Sequence, residues 1–220
     1  MKYSALACDY DGTLVTARQI DPAVLEALCR FRESGRKLIL VTGRELESLL
    51  ADFEDYDVFD RIVVENGGVL FNPANRNIRL LASPLSEEFI AALEGLRIDP
   101  LAVGRVIVSS RRPHDIKILE VIRDLGLNLE MIYNKDSVMV LPAGIDKKTG
   151  LTAALAELRL DIANTAGVGD AENDLPFISA CGCGASVANA LPSVKDQADL
   201  ILTQPNGQGV IELIERLTPQ

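Results

Sequence analysis

Positive charge is in short supply in this chain. Its 32 aspartates and glutamates face 22 lysines and arginines, for a formal net charge of −10 over 220 residues. A general nucleic-acid binder needs a basic face for the phosphate backbone, and a polybasic membrane anchor needs clustered lysines; neither class fits. No apolar run approaches the ~20 residues of a membrane-spanning helix. Asp9 and Asp11 fall where a secretory signal would carry its apolar segment, so a cytoplasmic protein is expected. Histidine occurs once, as His114, and the cysteines are four: Cys8, Cys29, Cys181 and Cys183. That is no disulfide framework for a chain of this length. Cys181-Gly182-Cys183 lacks the second cysteine pair or histidine set that would complete a metal site, so buried thiols are the expectation. What is present is ordinary globular material, 48% apolar and 25% charged. It suffices for one large domain, or for a core carrying a smaller insert.

The most informative stretch is Cys8-Asp9-Tyr10-Asp11-Gly12-Thr13-Leu14. It follows Tyr3-Ser4-Ala5-Leu6-Ala7, which reads as a buried strand. Side chains alternate along a strand, so Asp9 and Asp11 point the same way at its C-terminal end. Two carboxylates that close repel, and the remedies are a shared proton or a bound cation. A hard divalent ion suits oxygen ligands, and Mg²⁺ is the common choice where phosphate is handled. Taken alone, the run also fits a solvated turn.

The rest of the chain supplies a frame for that pair. Asp21-Pro22 reads as a helix start, Val24, Leu28 and Phe31 recur at helical spacing, and Gly35 closes the element. Residues 37–42 and 62–64 read as buried strands around a helix at 45–53, the rhythm of a parallel sheet. A hairpin follows at 69–71 and 78–81 after the turn Asn66-Gly67-Gly68. From 83 to 141 the rhythm changes to helix (86–96), strand (105–110), helix (115–125) and two strands (129–133, 137–141). The α/β rhythm then resumes with a helix at 148–158, a strand at 165–168, a helix at 174–180, short strands at 184–187 and 200–202, and a last helix at 209–217. The expected fold class is therefore α/β: a Rossmann-like doubly wound parallel-sheet core of residues 1–82 and 142–220, with an inserted α+β module at 83–141.

Three further stretches fall where such a sheet binds ligands, beyond the strands' C-terminal ends. Thr42-Gly43-Arg44 closes the second strand; its hydroxyl and backbone N–H groups can hold phosphate oxygens, although a helix-start threonine explains it equally well. Gly144-Ile145-Asp146-Lys147-Lys148-Thr149-Gly150 opens the helix where the core resumes, and either lysine could supply a cation to phosphate or remain solvated. Gly167-Val168-Gly169-Asp170-Ala171-Glu172-Asn173-Asp174 places Asp170 at a strand end, with Asn173 and Asp174 one turn further on. Alone it could be a helix cap; beside the first aspartate pair it offers the oxygens of an octahedral Mg²⁺ site.

Taken in order, these four stretches resemble the signatures of the haloacid dehalogenase-like phosphohydrolase superfamily. The resemblance implies that Asp9 is the nucleophile, forming an aspartyl-phosphate, and that Asp11 is the general acid and base. It assigns Thr42, Gly43, Arg44, Lys147 and Asn173 to the phosphate or substrate. Asp9, the backbone carbonyl of Asp11, Asp170 and Asp174 are assigned to Mg²⁺. Lys147 is preferred to Lys148 because it follows the Gly-x-Asp step. The position of the insert resembles the C2-type cap of Cof-like and archaeal phosphoglycolate phosphatases. Its shortness fits the latter.

A phosphatase acting on a small phosphorylated metabolite, phosphoglycolate or a sugar phosphate, is the resulting expectation, as a monomer or homodimer with no nucleic-acid or membrane partner. Arg105, Arg111, Arg112 and Lys117 in the insert suit a second anionic group on the substrate, or a solvated loop. His114 reads as a helix cap. The rivals are a phosphomutase or phosphotransferase of the same superfamily, a phospho-aspartate receiver domain, which would be about half this length, and a catalytically silent binding protein.

Overall fold

The computed structural model describes residues 3–15 and 19–218. In chain order the first elements are β1 (Ala5–Cys8), α1 (Pro22–Glu33), β2 (Lys37–Val41), α2 (Leu46–Asp52), β3 (Arg61–Val64), β4 (Val69–Asn72) and β5 (Asn77–Leu80). There follow α3 (Glu87–Gly95), β6 (Ala102–Val103), β7 (Val108–Arg111), α4 (Asp115–Asp124), β8 (Leu129–Asn134) and β9 (Ser137–Pro142). The last are α5 (Lys147–Leu158), β10 (Thr165–Gly169), α6 (Leu175–Ile178), β11 (Cys183–Ser186), α7 (Pro192–Lys195), β12 (Leu200–Ile201) and α8 (Asn206–Leu217).

Eight strands form one sheet in the order β12-β11-β10-β1-β2-β3-β4-β5. The six from β12 to β3 are parallel, and the β4–β5 hairpin extends the same sheet antiparallel. Continuous apolar runs explain this arrangement. Every residue of β1 and β10, and all but the first of β2 and β3, is buried, as a strand covered on both faces requires. Burying each of Leu38, Ile39, Leu40 and Val41 contributes about 1.5–3 kcal/mol. α1 begins on Asp21, whose carboxylate accepts the Ala23 N–H at 2.8 Å, and turns Val24, Ala27, Leu28 and Phe31 into that core. It packs along α8, while α5 lies on β2, β3 and β4.

Residues 102–142 build a second, antiparallel sheet in the order β6-β7-β9-β8. Val108, Val138 and Val140 face α3 and α4 and close a separate core with Phe89, Leu93, Ile118, Val121 and Ile122. Alternation sends Met139 and Leu141 to the opposite face, beside Ile107.

The strand expected at 105–110 starts only at Val108. Residues 104–107 are instead a turn seated on the first sheet's domain. There the fully buried Glu65 carboxyl accepts the N–H of Arg105 at 3.0 Å and of Val106 at 2.7 Å. Val106 accordingly packs in the larger core, and Gly104 lies so close that a Cβ there would come within 2.8 Å of the Glu65 carboxyl. Glu65 and Asn66 both take left-handed backbone angles, φ 51° and 52°, to make this seat. The helix expected at 174–180 is a 3₁₀ turn at Glu172–Asp174 followed by the short α6, because the Asp174 carboxylate reaches back to the chain before it. The expected helix 209–217 begins earlier, at Asn206, and Gly207 lets it approach Val24.

Truncating Glu65 would leave the buried Val106 N–H and the partly buried Arg105 N–H without a partner. Glu65→Ala is expected to cost about 2–4 kcal/mol, measured by urea unfolding, because each orphaned donor costs about 1–3 kcal/mol.

Candidate active site

Three adjacent strands deliver the site. β1 lies between β10 and β2, with Cys8 level with Val168 on one side and Leu40 on the other. The next residues out, Asp9 after β1, Asp170 after β10 and Thr42 after β2, therefore emerge together at the carboxyl edge. Asp9, Asp170 and Asp174 each offer an oxygen within 4.8 Å of the others, and all three are buried.

Lys147 binds this cluster together. The Asp146–Thr149 capping box, with Thr149 N–H to Asp146 Oδ1 at 2.8 Å and Asp146 N–H to Thr149 Oγ1 at 2.9 Å, fixes Lys147 as the first residue of α5. Its ammonium donates to Asp9 Oδ1 at 2.6 Å and to Asp174 Oδ1. Burial and the positive end of the helix both oppose a charge there. Burial pulls the ammonium down, yet Asp174 and Asp9 outweigh it and hold Lys147 above its ordinary value. Lys148 is exposed, so the lysine in the site is Lys147.

Asp174 has both oxygens engaged. Oδ1 takes Lys147, and Oδ2 accepts the N–H of Asp170 at 2.9 Å and of Ala171 at 3.0 Å. Asp170 differs: Oδ1 is buried with no partner. Gly12 makes room for that carboxylate, since a Cβ there would lie 2.5 Å from its oxygen and its φ of +86° disfavours other residues. An orphaned carboxylate oxygen among three crowded acids fits a cation, and an all-oxygen donor set fits a hard one. Burial first, then Asp174, push the Asp9 carboxyl up from 3.8 to about 8. Burial also raises Asp170.

The other expected residues separate into two groups. Thr42 is buried, its Oγ1 accepting the Arg44 N–H at 3.2 Å, and its carbonyl accepts the Asn66 N–H at 3.0 Å. Asp9, Asp11, Thr42, Gly43 and Arg44 line a cleft of about 180 Å³, closed from above by Ser109, Asn134, Ser137 and Met139 of the second sheet. Arg44, expected to meet substrate, lines this cleft and grips Asp11 with two bonds of 2.7 Å and Asp52 with one of 2.8 Å, lying over the Tyr10 ring. Asn173 donates to Asn66 Oδ1 at 2.9 Å beneath Gly43, leaving its own Oδ1 buried and unpartnered.

Arg105 is turned to Glu47, Arg112 lies over Tyr133, and the His114 ring meets the Asp99 carbonyl from the residue before α4. Of these four insert residues, Arg111 lines a wider opening beside Asp11 and Gly12. Of the thiols expected to be buried, Cys181 and Cys8 are, whereas Cys183 and Cys29 are partly exposed. Sequence reasoning missed Asp52, Asn66 and Lys135. The last, between β8 and β9, donates to Asp170 Oδ2 at 2.8 Å. Turn residues at 134–136 mark a hairpin, but nothing local says that its tip meets Asp170.

Replacing Lys147 leaves buried carboxylates without their ammonium. Lys147→Met is expected to lose about 3–5 kcal/mol of stability at pH 8 in chelator, and less at pH 5, where protons neutralise the acids. In the unaltered chain, Asp9 keeps a proton when folded that the unfolded chain gives up between pH 3.8 and about 8. Stability without metal should therefore fall as pH rises through that window, as denaturant titration across pH would show.

A haloacid dehalogenase-like hydrolase model matches residues 6–99 and 103–214. The chain is 28% identical to a phosphoglycolate phosphatase of Methanothermobacter thermautotrophicus, over 96% of this chain and 97% of that one. It is 30% identical to a phosphoglycolate phosphatase of Haloarcula marismortui, over 95% of each. A haloacid dehalogenase-like hydrolase from Bacteroides thetaiotaomicron superposes with a TM-score of 0.81 at 23% identity, covering 99% of this chain and all of that one. With the acidic cluster at the carboxyl edge of a parallel sheet and a family model spanning nearly all of its length, the chain belongs to the haloacid dehalogenase-like hydrolases.

Proposed function

We propose that this chain is a Mg²⁺-dependent phosphomonoesterase that acts on a small phosphorylated metabolite, with phosphoglycolate the leading candidate. The observation that carries the reading is the buried Asp9–Lys147–Asp174 contact beside the unpartnered Asp170 oxygen. An anionic nucleophile attacking an anionic phosphate needs positive charge on both, and a static ammonium supplies part of it. Asp9, Asp170 and the Asp11 carbonyl would hold the metal, with Asp174 supporting it from the cluster. The ion's contribution is to offset charge on the phosphoryl oxygens.

The chain's own groups then divide the work. The Asp9 carboxylate attacks phosphorus in line, forming an Oδ–P bond as the bond to the leaving alcohol breaks. Thr42 Oγ1 and the backbone N–H of Gly43 hold phosphoryl oxygens. Asp11 is the group placed to deliver a proton to the leaving oxygen. It then takes one from the water that attacks phosphorus and frees Asp9. Arg44 positions Asp11 for both steps, and Asp52 keeps the guanidinium neutralised while Asp11 cycles. The cleft of about 180 Å³ admits a small phosphate ester. The family of the curated relatives favours phosphoglycolate within that size class.

Phosphate release from a panel of phosphorylated metabolites, with Mg²⁺ and with chelator, tests the reading. Turnover should require the metal and disappear in Asp9→Asn. Asp11→Asn should lose about 10²- to 10⁴-fold in rate, the range for a general acid–base group. No release from any compound by folded protein would shift the assignment to transfer or regulation.

A further inference from the structure

Lys135 occupies an unusual position. It sits in the turn between β8 and β9 of the second sheet, with a left-handed φ of 54°, and spans to the acidic cluster of the first. Two bonds hold it there: Nζ to Asp170 Oδ2 at 2.8 Å and its backbone N–H to Glu172 Oε2 at 3.3 Å. The side chain is half exposed, whereas Asp170 is 1% exposed. Asp170 is thus a buried acid reached by a half-exposed ammonium, while the buried Lys147 serves Asp9 and Asp174.

We propose that Lys135 is the cap's built-in stand-in for the metal. Resting on the metal site assigned above, it pairs with Asp170 when no cation is bound and closes the cap over the site. A cation arriving at Asp170 repels and displaces it. The displaced ammonium, still tethered by a short turn in the opening beside the cleft that Asp11, Gly12 and Arg111 line, then pairs with the anionic oxygens of the bound phosphoryl group. Charge counting supports both halves. Counted with every group ionised, Asp9, Asp170 and Asp174 with Lys147 and Lys135 carry a formal −1; a divalent ion brings this to +1, and a phosphate dianion returns it to −1. Loss of Lys135 would make that last state −2, raising the electrostatic cost of the anion. The other anchor of the second sheet, the Glu65 seat, lies on Arg105 and Val106 and does not involve this lysine. The β8–β9 end can therefore lift while the Glu65 end stays seated.

Calorimetric titration of Mg²⁺, then of inorganic phosphate with Mg²⁺ present, into unaltered protein, Lys135→Met and Lys135→Arg tests this without turnover. Lys135→Met should bind Mg²⁺ about three- to fivefold more tightly, the worth of a partly exposed ion pair. It should bind phosphate about tenfold more weakly, a charge-assisted contact having been lost. Lys135→Arg should restore most of the phosphate affinity, and hydrogen exchange at 132–137 should rise on adding Mg²⁺ alone. Unchanged or weaker Mg²⁺ binding in Lys135→Met, or unchanged phosphate binding, would overturn the stand-in role while leaving the metal site intact. Absence of Mg²⁺ binding by unaltered protein would overturn both.

Discussion

Asp9, Asp170 and Asp174, buried within 4.8 Å of one another, cannot all be ionised without positive charge among them. That requirement organises much of the molecule. It explains a lysine at the first position of a helix, where burial and the helix dipole both work against it, and the capping box that holds it there. It explains why Asp174 spends one carboxylate oxygen on the backbone N–H groups of Asp170 and Ala171, since those donors stabilise a buried anion. The sheet order completes the logic: β10, β1 and β2 are neighbours, so their ends converge at one point although they lie far apart in the chain.

A second acidic site is kept separate from the first. Asp11 is two residues from Asp9, yet its carboxylate is drawn to Arg44 rather than to Lys147. One aspartate thus meets a buried ammonium and the other a guanidinium. Asp52 makes this division durable because it holds Arg44 independently of Asp11. The second sheet then roofs the cleft with Ser109, Asn134, Ser137 and Met139, seated at one end by Glu65.

Much of this was legible because the relevant patterns are local. Buried parallel strands announce themselves as continuous apolar runs, and the acidic motifs follow those strands directly. Lys147 was preferred to Lys148 only through the family resemblance of its Gly-x-Asp step, and in the fold the first is buried at the start of the helix and the second is exposed. What escaped were contacts made across the chain. Arg44 lies in the motif where it was expected, but its partners are 33 and 8 residues away, and no local rule selects Asp11 and Asp52 over a substrate. The Glu65 seat cut the expected 105–110 strand short because its backbone donors are used outside the sheet. Lys135 reads in sequence as an ordinary hairpin-tip lysine. Its meeting with Asp170 depends on how the two sheets are placed, which hydrophobic periodicity does not encode.

The central claim is that Asp9 itself becomes the covalent carrier, with Lys147 and the neighbouring acids arranged to make that possible. The most direct test is to quench the enzyme in acid during turnover of its best substrate, digest it at acid pH, where an acyl phosphate survives, and locate any phosphoryl group by peptide mass spectrometry. The account predicts phosphate on the peptide containing residues 3–15, at Asp9, in an amount that rises when Asp11 is replaced by asparagine. Turnover with no phosphorylated peptide, or with the group on another residue, would contradict it and make the buried carboxylate a spectator to direct attack by water.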